Sequence, residues 1–463
     1  MKTHSPHRAM LPVILALALP TMLEQLLQTA VQYIDTAMVG SLGTYATAAV
    51  GATTTVNWLI GSSISALGIG FLSHIARSIG AGETAKVKQI SAQSVFIVLT
   101  VGGLFTLLCL GLSGMVPVWM RVDPAIRDLA GQYFFILYIP MLPRTASIIF
   151  GTLLRAAGDT KTPMRVGILV NVTNVVLNFL LIFPTRSVSL FGLSFTVPGA
   201  GMGVAGAAAA SAVAFTLGGI LMTAVFWRHP ILSPRGENLR PDKALLLPCL
   251  RTALPNMLQR FGTALGYVAF ASMINSLGEI ATAAHTIANT VESAFYIPGF
   301  GMQTAAATLA GNAVGAKDAG RMRDLTRVIF PLEIALMTIS GGLLFILAPT
   351  MVGIFAEEAA VILLGTTILR MVSVSEPFYG VSIIIEGMLF GVGKTVTPFI
   401  YNIIGMWGVR IVGTYIFTQI LDFGLVAAWG CMIAHNLLLF ALFLAHFSHG
   451  KWNPMHQSET KLN

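Results

Sequence analysis

The chain is 463 residues long, with 55 % hydrophobic and 10 % charged residues. A soluble domain carries about 25 % charged residues, so a soluble enzyme is excluded and a protein that crosses a membrane many times is indicated. The formal net charge of +8 does not point to nucleic acid, because the positive residues sit in a few short connectors.

The basic start, Met1 to Arg8, precedes an apolar run that extends far past a signal-peptide core and has no small-residue cleavage site. It reads as a retained first span. Within that span Glu24, Gln28, Gln32 and Asp35 fall at steps of 4, 4 and 3 and line one helical face. An ionisable group at membrane depth costs roughly 2.5–3.5 kcal/mol unless it meets a cavity or a partner. The stripe therefore reads as the wall of a polar cavity, with Tyr33 beside it.

At about 20 residues per span, apolar segments fall near 9–37, 45–76, 91–118, 129–153, 164–184 and 203–227. A second set falls near 244–273, 280–311, 327–349, 361–390, 396–419 and 425–449. Twelve spans are expected. With the N-terminus inside, cytoplasmic segments hold nearly all Lys and Arg, from Lys2 and Arg77 through Lys317 to Lys451 and Lys461. Outer connectors hold only Arg121, Arg127 and Arg186. The positive-inside rule then places both termini in the cytoplasm.

The polar connector Arg228 to Lys243, with Pro230, Pro234, Gly236 and Pro241, divides the spans six and six. The expected organisation is an N-lobe, 1–227, a cytoplasmic linker, 228–243, and a C-lobe, 244–463. The halves also repeat in sequence. Leu19-Pro20 recurs as Leu254-Pro255, Ser41-Leu42-Gly43 as Ser276-Leu277-Gly278, and Gly80-Ala81 as Gly315-Ala316. Gly158, Thr160, Thr162 and Pro163 recur as Gly393, Thr395, Thr397 and Pro398. Each pair is offset by 235 (255 − 20, 398 − 163), a register that marks an internal duplication. Repeats with an even number of spans insert the same way up, as parallel repeats do. The segment Arg186 to Gly199, with Phe191, Gly192, Phe195 and Pro198, has no counterpart and reads as an outer hairpin or loop.

Gly391-Val392-Gly393-Lys394-Thr395 looks like a phosphate-binding loop but fails its spacing, since Met388 stands where the leading Gly must be. It reads as a helix connector, with Gly in the turn, Thr as a cap and Pro in the next first turn. Asn171, Asn174 and Asn178 share one face of the fifth span, where amides bind a small cation through their carbonyls, hydrogen-bond a carboxylate or hold helices together. The sixth span opens with Gly203, Gly206 and Ala207 to Ala210, a run suited to close packing, and Ser211 adds a hydroxyl. In the second half Asp35 maps to Phe270 and Glu24 to Gln259. That half instead carries Arg260, Glu292, Glu376, Glu386 and Arg410 in or near its spans, for which Arg–Glu pairing is the plainer reading. Pro20, Pro140, Pro143, Pro255, Pro298 and Pro377 lie within spans and are expected to kink or hinge them. The three cysteines, Cys109, Cys249 and Cys431, form no CxxC and read as buried thiols, and the histidines have no metal-ligand spacing. No catalytic dyad is evident.

Leu19-Pro20 with Asp35 to Gly40, Leu154-Arg155-Ala156-Ala157-Gly158-Asp159-Thr160, Gly203-Val204-Ala205-Gly206-Ala207-Ala208 and the six-plus-six repeat together resemble the multidrug and toxic compound extrusion (MATE) family of bacterial transporters. The resemblance implies an all-α polytopic membrane protein, with twelve helices in two pseudo-symmetric six-helix bundles around a central cleft. It implies export of cationic, often aromatic compounds in exchange for Na⁺ or H⁺ by alternating access, from the bacterial inner membrane. Asp35, Asn174, Asn178 and Ser211 map onto the coupling positions, and Na⁺, if used, would sit at Asp35, Asn174 and Asn178. Glu24, Gln28, Gln32, Tyr33, Asn171, Glu292 and Glu376 are the expected cavity residues. Some members have an acid at the position of Asn178, and the seventh-span acid of others is missing between Gln259 and Thr263. No cofactor, no nucleic acid and a monomer are expected, with small-molecule cationic substrates and membrane lipids as partners. The alternative from the same superfamily is a flippase of lipid-linked sugars, for which Arg144, Arg260 and Arg410 speak.

Overall fold

The structure is a computed structural model that describes residues 6–190, 193–450 and 452–455. The first half contains α1 (Pro6–Gly40), α2 (Thr44–Gly80), α3 (Thr84–Leu112), the single turn α4 (Val116–Trp119), α5 (Arg127–Tyr138), α6 (Met141–Ala156) and α7 (Lys161–Leu181). Strands β1 (Pro184–Leu190) and β2 (Leu193–Ala200) follow, then α8 (Gly203–Arg228). The second half contains α9 (Lys243–Asn275), α10 (Glu279–Gly315), α11 (Ala319–Phe355), α12 (Ala359–Ser373) and α13 (Glu376–Gly391). It ends with α14 (Val396–Ile403), π-wound turns at Ile404–Ile411 and Tyr415–Ile420 joined by α15 (Val412–Thr414), and α16 (Leu425–Ser448).

All twelve expected spans are helical. Among the described residues, eight helices are long and apolar enough to cross a membrane alone, and the pairs α5–α6 and α12–α13, bent by 52° and 53°, bring the number to 10. The other two are α9 and α10, of 33 and 37 residues, which are long enough but more polar. Asn256, Gln259 and Arg260 lie on the first, and Glu292, Gln303 and Asn312 on the second. The bends fall where proline interrupts the amide ladder. Pro140 precedes α6 and Pro377 stands in the first turn of α13. Pro20, Pro255 and Pro298, by contrast, lie inside continuous helices.

The duplication is visible in the backbone. Adding 235 converts the ends or starts of first-half helices into those of the second: Gly40 into Asn275, Thr44 into Glu279, Gly80 into Gly315 and Thr84 into Ala319. Tyr138 likewise becomes Ser373, Met141 becomes Glu376, Ala156 becomes Gly391 and Lys161 becomes Val396. Turn geometry repeats as well. Gly43 and Gly278 have φ of 109° and 105°, and Gly158 and Gly393 have 88° and 82°, conformations open to glycine. The frame ends at the inserted hairpin. From α8 to α16 the offset falls to 222 (425 − 203), because β1 and β2 have no counterpart in the second half. The strands pair antiparallel, Arg186 with Val197 and Ser187 with Thr196, as the unmatched segment leads one to expect. The tip, Phe191 and Gly192, lies outside the described residues, as do Lys2, Lys451 and Lys461.

Packing groups the chain differently from the repeat. One compact unit comprises residues 1–25, 69–83 and 248–463, and the other 26–68 and 84–247. Thus the first part of α1 and the last part of α2 belong with the second half. In the first unit Ile14, Leu17, Ala18 and Met22 share an apolar core with Met302, Leu325, Ile384 and Met388. There too α2 and α10 meet through related residues. A Cβ on Gly80 would run into the Asn312 carbonyl, and one on Gly315 into the Arg77 carbonyl. Since 80 + 235 = 315 and 77 + 235 = 312, this is one contact made twice, the self-complementary form of a two-fold interface. In the second unit Val39, Ala46, Ile182, Val204 and Ala207 pack together. The linker is fastened there by Gln93. Its amide nitrogen donates to the Arg240 carbonyl at 3.0 Å, and its oxygen accepts from Asp242 N at 2.9 Å.

The glycine connectors are helix junctions. The cap before α7 is Asp159, whose carboxylate accepts from Thr162 N at 3.0 Å. The expectation of threonine caps is corrected: Thr160 and Thr395 have helical backbone, and neither side chain caps the following helix. The Thr395 hydroxyl donates to the Thr252 carbonyl at 2.7 Å instead. All three cysteines are buried free thiols.

Candidate functional site

The first-span stripe crosses from one compact unit to the other between Gln25 and Leu26. Glu24 lies in the first unit, while Gln28, Gln32, Tyr33 and Asp35 lie in the second. Gln28, Gln32 and Tyr33 are exposed, and Glu24, Asp35 and Asn171 are half-buried.

Asp35 is brought to α7 and α8 within the second unit. Asn174 and Asn178, one turn apart on α7, are 6 % and 1 % exposed. The Asn178 amide nitrogen donates to the Asp35 carboxylate and to Asn174 Oδ1. Asn174 reaches Ser211 Oγ on α8 at 3.0 Å. With its amide turned over, Asn174 donates to both Asp35 oxygens, at 2.8 and 3.1 Å, and accepts from the Ser211 hydroxyl at 3.0 Å. That orientation pairs the Asn174 amide with Asp35 and Ser211 in place of the bond it accepts from Asn178. The small residues of α8 make the approach possible. A Cβ on Gly206 would stand 2.5 Å from the Leu181 carbonyl oxygen, so only glycine lets α8 lie this close to the end of α7. Asn178 Oδ1 is buried without a hydrogen-bond partner among the described residues, an oxygen acceptor beside a carboxylate. The donor set is carboxylate, amide and hydroxyl oxygen, the hard ligands that suit a proton or a small hard cation. Among the described residues no group of three His, Cys, Asp or Glu side chains is placed to hold a metal ion. Asn171, one turn before Asn174, is not part of this hydrogen-bonded set.

The first unit contains a different polar centre. Glu386 on α13 accepts from Gln259 Nε2 at 2.7 Å and Asn402 Nδ2 at 2.9 Å through one oxygen, and from Gln303 Nε2 at 2.8 Å through the other. Arg260 is its charged neighbour. Four elements, α9, α10, α13 and α14, thus close on one carboxylate. Glu292 on α10 and Glu376 on α13 are 6 % and 2 % exposed. Glu333 on α11 is 0 % exposed, and neither of its oxygens has a hydrogen-bond partner among the described residues. Sequence reasoning missed Glu333, Gln303 and Asn402. The signal for Glu333 was an acid inside an apolar span, and for the amides it was the unusual polarity of their helices.

The arginines are engaged inside their own units. Arg144 Nη1 donates to Asn57 Oδ1 at 2.7 Å, Tyr138 OH donates to the same oxygen at 3.0 Å, and the guanidinium lies 4.7 Å from the Phe215 ring centroid. Arg410 lies over Phe270 and Tyr267, at 4.2 and 4.9 Å.

A duplicated set of helices long and apolar enough to cross a membrane, one copy of which holds a carboxylate and amide cluster, defines a multi-pass membrane protein. The family profile named MatE matches residues 20–180 and again 255–416, two copies in the register of the internal repeat. The chain belongs to the MatE family. A probable multidrug resistance protein NorM from Thermotoga maritima is 27 % identical over 95 % of this chain and 92 % of its own. A probable multidrug resistance protein YoeA from Bacillus subtilis is 25 % identical over 89 % of this chain and 87 % of its own. Among solved structures, an outward-facing multidrug resistance MATE family transporter of the MOP superfamily superposes with a TM-score of 0.87 at 22 % identity, covering 98 % of this chain and 97 % of its own. A MOP superfamily transporter from Pyrococcus furiosus, described as having a binding pocket of reverse polarity, gives 0.85 at 22 % identity over 98 % of this chain and 97 % of its own.

Proposed function

We propose that the protein is a secondary active efflux transporter that exports cationic, often aromatic compounds in exchange for Na⁺ or H⁺ by alternating access. The observation that carries this reading is the cluster of Asp35, Asn174, Asn178 and Ser211 in a chain whose relatives are named multidrug resistance proteins. Asp35 takes the coupling cation or proton, and the amides and the hydroxyl orient its oxygens. Binding favours the conformation that has released its cargo, and loss of the ion to the cytoplasm resets it. Glu24, Gln28, Gln32, Tyr33 and Asn171 line the cargo path, with Glu292 and Glu376 as acidic groups of the second half. The protein resides in the bacterial inner membrane with both termini in the cytoplasm, and it acts as a monomer.

A flippase for anionic, lipid-linked sugars requires cationic groups free to meet a pyrophosphate. Arg144 is taken up by Asn57 and aromatic rings, Arg260 neighbours Glu386, and Arg410 lies on Phe270. Their engagement favours cation export. The test is efflux of a fluorescent organic cation from proteoliposomes under a Na⁺ gradient or a pH gradient imposed separately, for wild type and Asp35→Asn. Transport under one gradient, abolished in the variant, is expected. Undiminished gradient-driven transport by the variant contradicts the assignment of Asp35.

A further inference from the structure

The duplication sets a question at the position of Asp35. Its partner in the second half is Phe270, 1 % exposed, so the second repeat has an aromatic ring where the first has a carboxylate. On that ring lies the guanidinium of Arg410, 4.2 Å from the centroid, with Tyr267 at 4.9 Å on the same helix. Arg410 is 4 % exposed, and its Nε has no hydrogen-bond partner among the described residues.

The helix carrying Arg410 corresponds to α7, which carries Asn174 and Asn178. At the plain offset Arg410 matches Val175 (410 − 235). The chain is π-wound over Ile404–Ile411, however, and a π turn takes up an extra residue relative to an α turn. One added residue aligns Arg410 with Asn174. The second repeat therefore directs a fixed positive charge to the place where the first directs an amide at a carboxylate. Glu292 lies within electrostatic range of the guanidinium, and Glu376 in turn within range of Glu292. His285 and His435 also face Arg410. The His285 ring accepts from Trp429 Nε1 at 3.3 Å, and neither ring nitrogen of His435 has a hydrogen-bond partner among the described residues.

We propose that Arg410 is a tethered cation: its guanidinium fills, in the second repeat, the place that a dissociable cation takes beside Asp35 in the first, with Glu292 as its counter-charge. The comparison with Asp35 rests on the proposed function, but the claim about Arg410 is tested without it. A guanidinium attached to the chain cannot leave, so this half of the duplication is closed to exchangeable cations. Removing the tether opens a site for a soluble cation of the same chemistry, flat and able to lie on Phe270.

The test is chemical rescue of Arg410→Ala by guanidinium ion at millimolar concentration, in the full-length chain in lipid nanodiscs. The variant is expected to melt several degrees below wild type. Added guanidinium is expected to raise its melting temperature saturably and leave wild type unmoved, and Glu292→Gln in the Arg410→Ala background is expected to abolish the rescue. An equal response of wild type and variant, or rescue that persists without Glu292, overturns the proposal. If Arg410→Ala does not fold, Arg410→Gln is compared with Arg410→Gln/Glu292→Gln. Recovery of folded protein in the double variant supports a charge pair, and no recovery overturns it. Failure of Asp35 as a cation site shows in Asp35→Asn and leaves these outcomes unaffected.

Discussion

Asp35 and Phe270 occupy the same place in two copies of one six-span unit, yet the first is a carboxylate among neutral polar groups and the second a ring that carries a guanidinium. Around Asp35 the chain supplies two amides from α7 and a hydroxyl from α8. Around Phe270 it supplies an arginine. The helix boundaries and turn conformations that carry the two sites still coincide at one offset. Duplication has kept the backbone, which close packing and glycine turns hold in place, while the polar side chains have diverged. A matched frame thus says where a site lies and nothing about its chemistry.

The comparison breaks most sharply at the carboxylates. Glu386→Leu removes the acceptor for three amide donors and strands Arg260, so it is expected to cost roughly 3–5 kcal/mol. Glu333→Gln disturbs no hydrogen bond and is expected to cost less than about 1 kcal/mol. Denaturation of both variants in lipid nanodiscs checks this, and comparable losses would mean that Glu333 has a partner. Next in size are the reciprocal glycines. Gly80→Val and Gly315→Val each force a side chain against a carbonyl of the other helix and are expected to destabilise by about 1–3 kcal/mol. The two losses should agree, because the contact is made twice, and a marked inequality in thermal unfolding would break the symmetry argument.

Within the first-repeat site, Asn174→Ala and Ser211→Ala should be non-additive. A double-mutant cycle is expected to return a coupling of about 1 kcal/mol, and additive losses would deny the hydrogen bond between α7 and α8. The smallest effect belongs to the linker after α8. His229 Nδ1 accepts from Ile231 N and Leu232 N, at 3.3 and 3.2 Å. Burial lowers its pKa from the ordinary 6.5, with Asp159 opposing the shift. The neutral ring is the stabilised form, so its contribution is present above pH 6.5 and is lost as pH falls through the lower folded value. Hydrogen exchange at Ile231 and Leu232 should accelerate in that window beyond the intrinsic trend. His229→Gln should flatten the dependence.

Much of the frame was legible because lipid forces apolar runs and because the duplication repeats its turn glycines. The hairpin was legible as the stretch with no counterpart. Periodicity placed Asn171, Asn174 and Asn178 on one face of their own helix, and the resemblance to the family, not the spacing, grouped two of them and Ser211 with Asp35. Packing across helices was not legible. The grouping of residues 1–25 and 69–83 with the second half depends on close approaches such as Gly301 against Met22, which no periodicity encodes. The web around Glu386 joins Gln259, Gln303 and Asn402 from three separate helices, and only the fold brings them to one point. The lateral shift that turns Arg410 onto Phe270 comes from π winding, which has no sequence period of its own here.

The central claim is that the exchangeable cation belongs to the Asp35 cluster alone. Its most direct test is equilibrium binding of Na⁺ and of protons to the purified chain, comparing wild type with Asp35→Asn and with Glu376→Gln. The account predicts one saturable site in wild type for one of the two ions, lost in Asp35→Asn and kept in Glu376→Gln. A site that survives Asp35→Asn and disappears with Glu376→Gln would place coupling in the other half of the duplication and contradict the account.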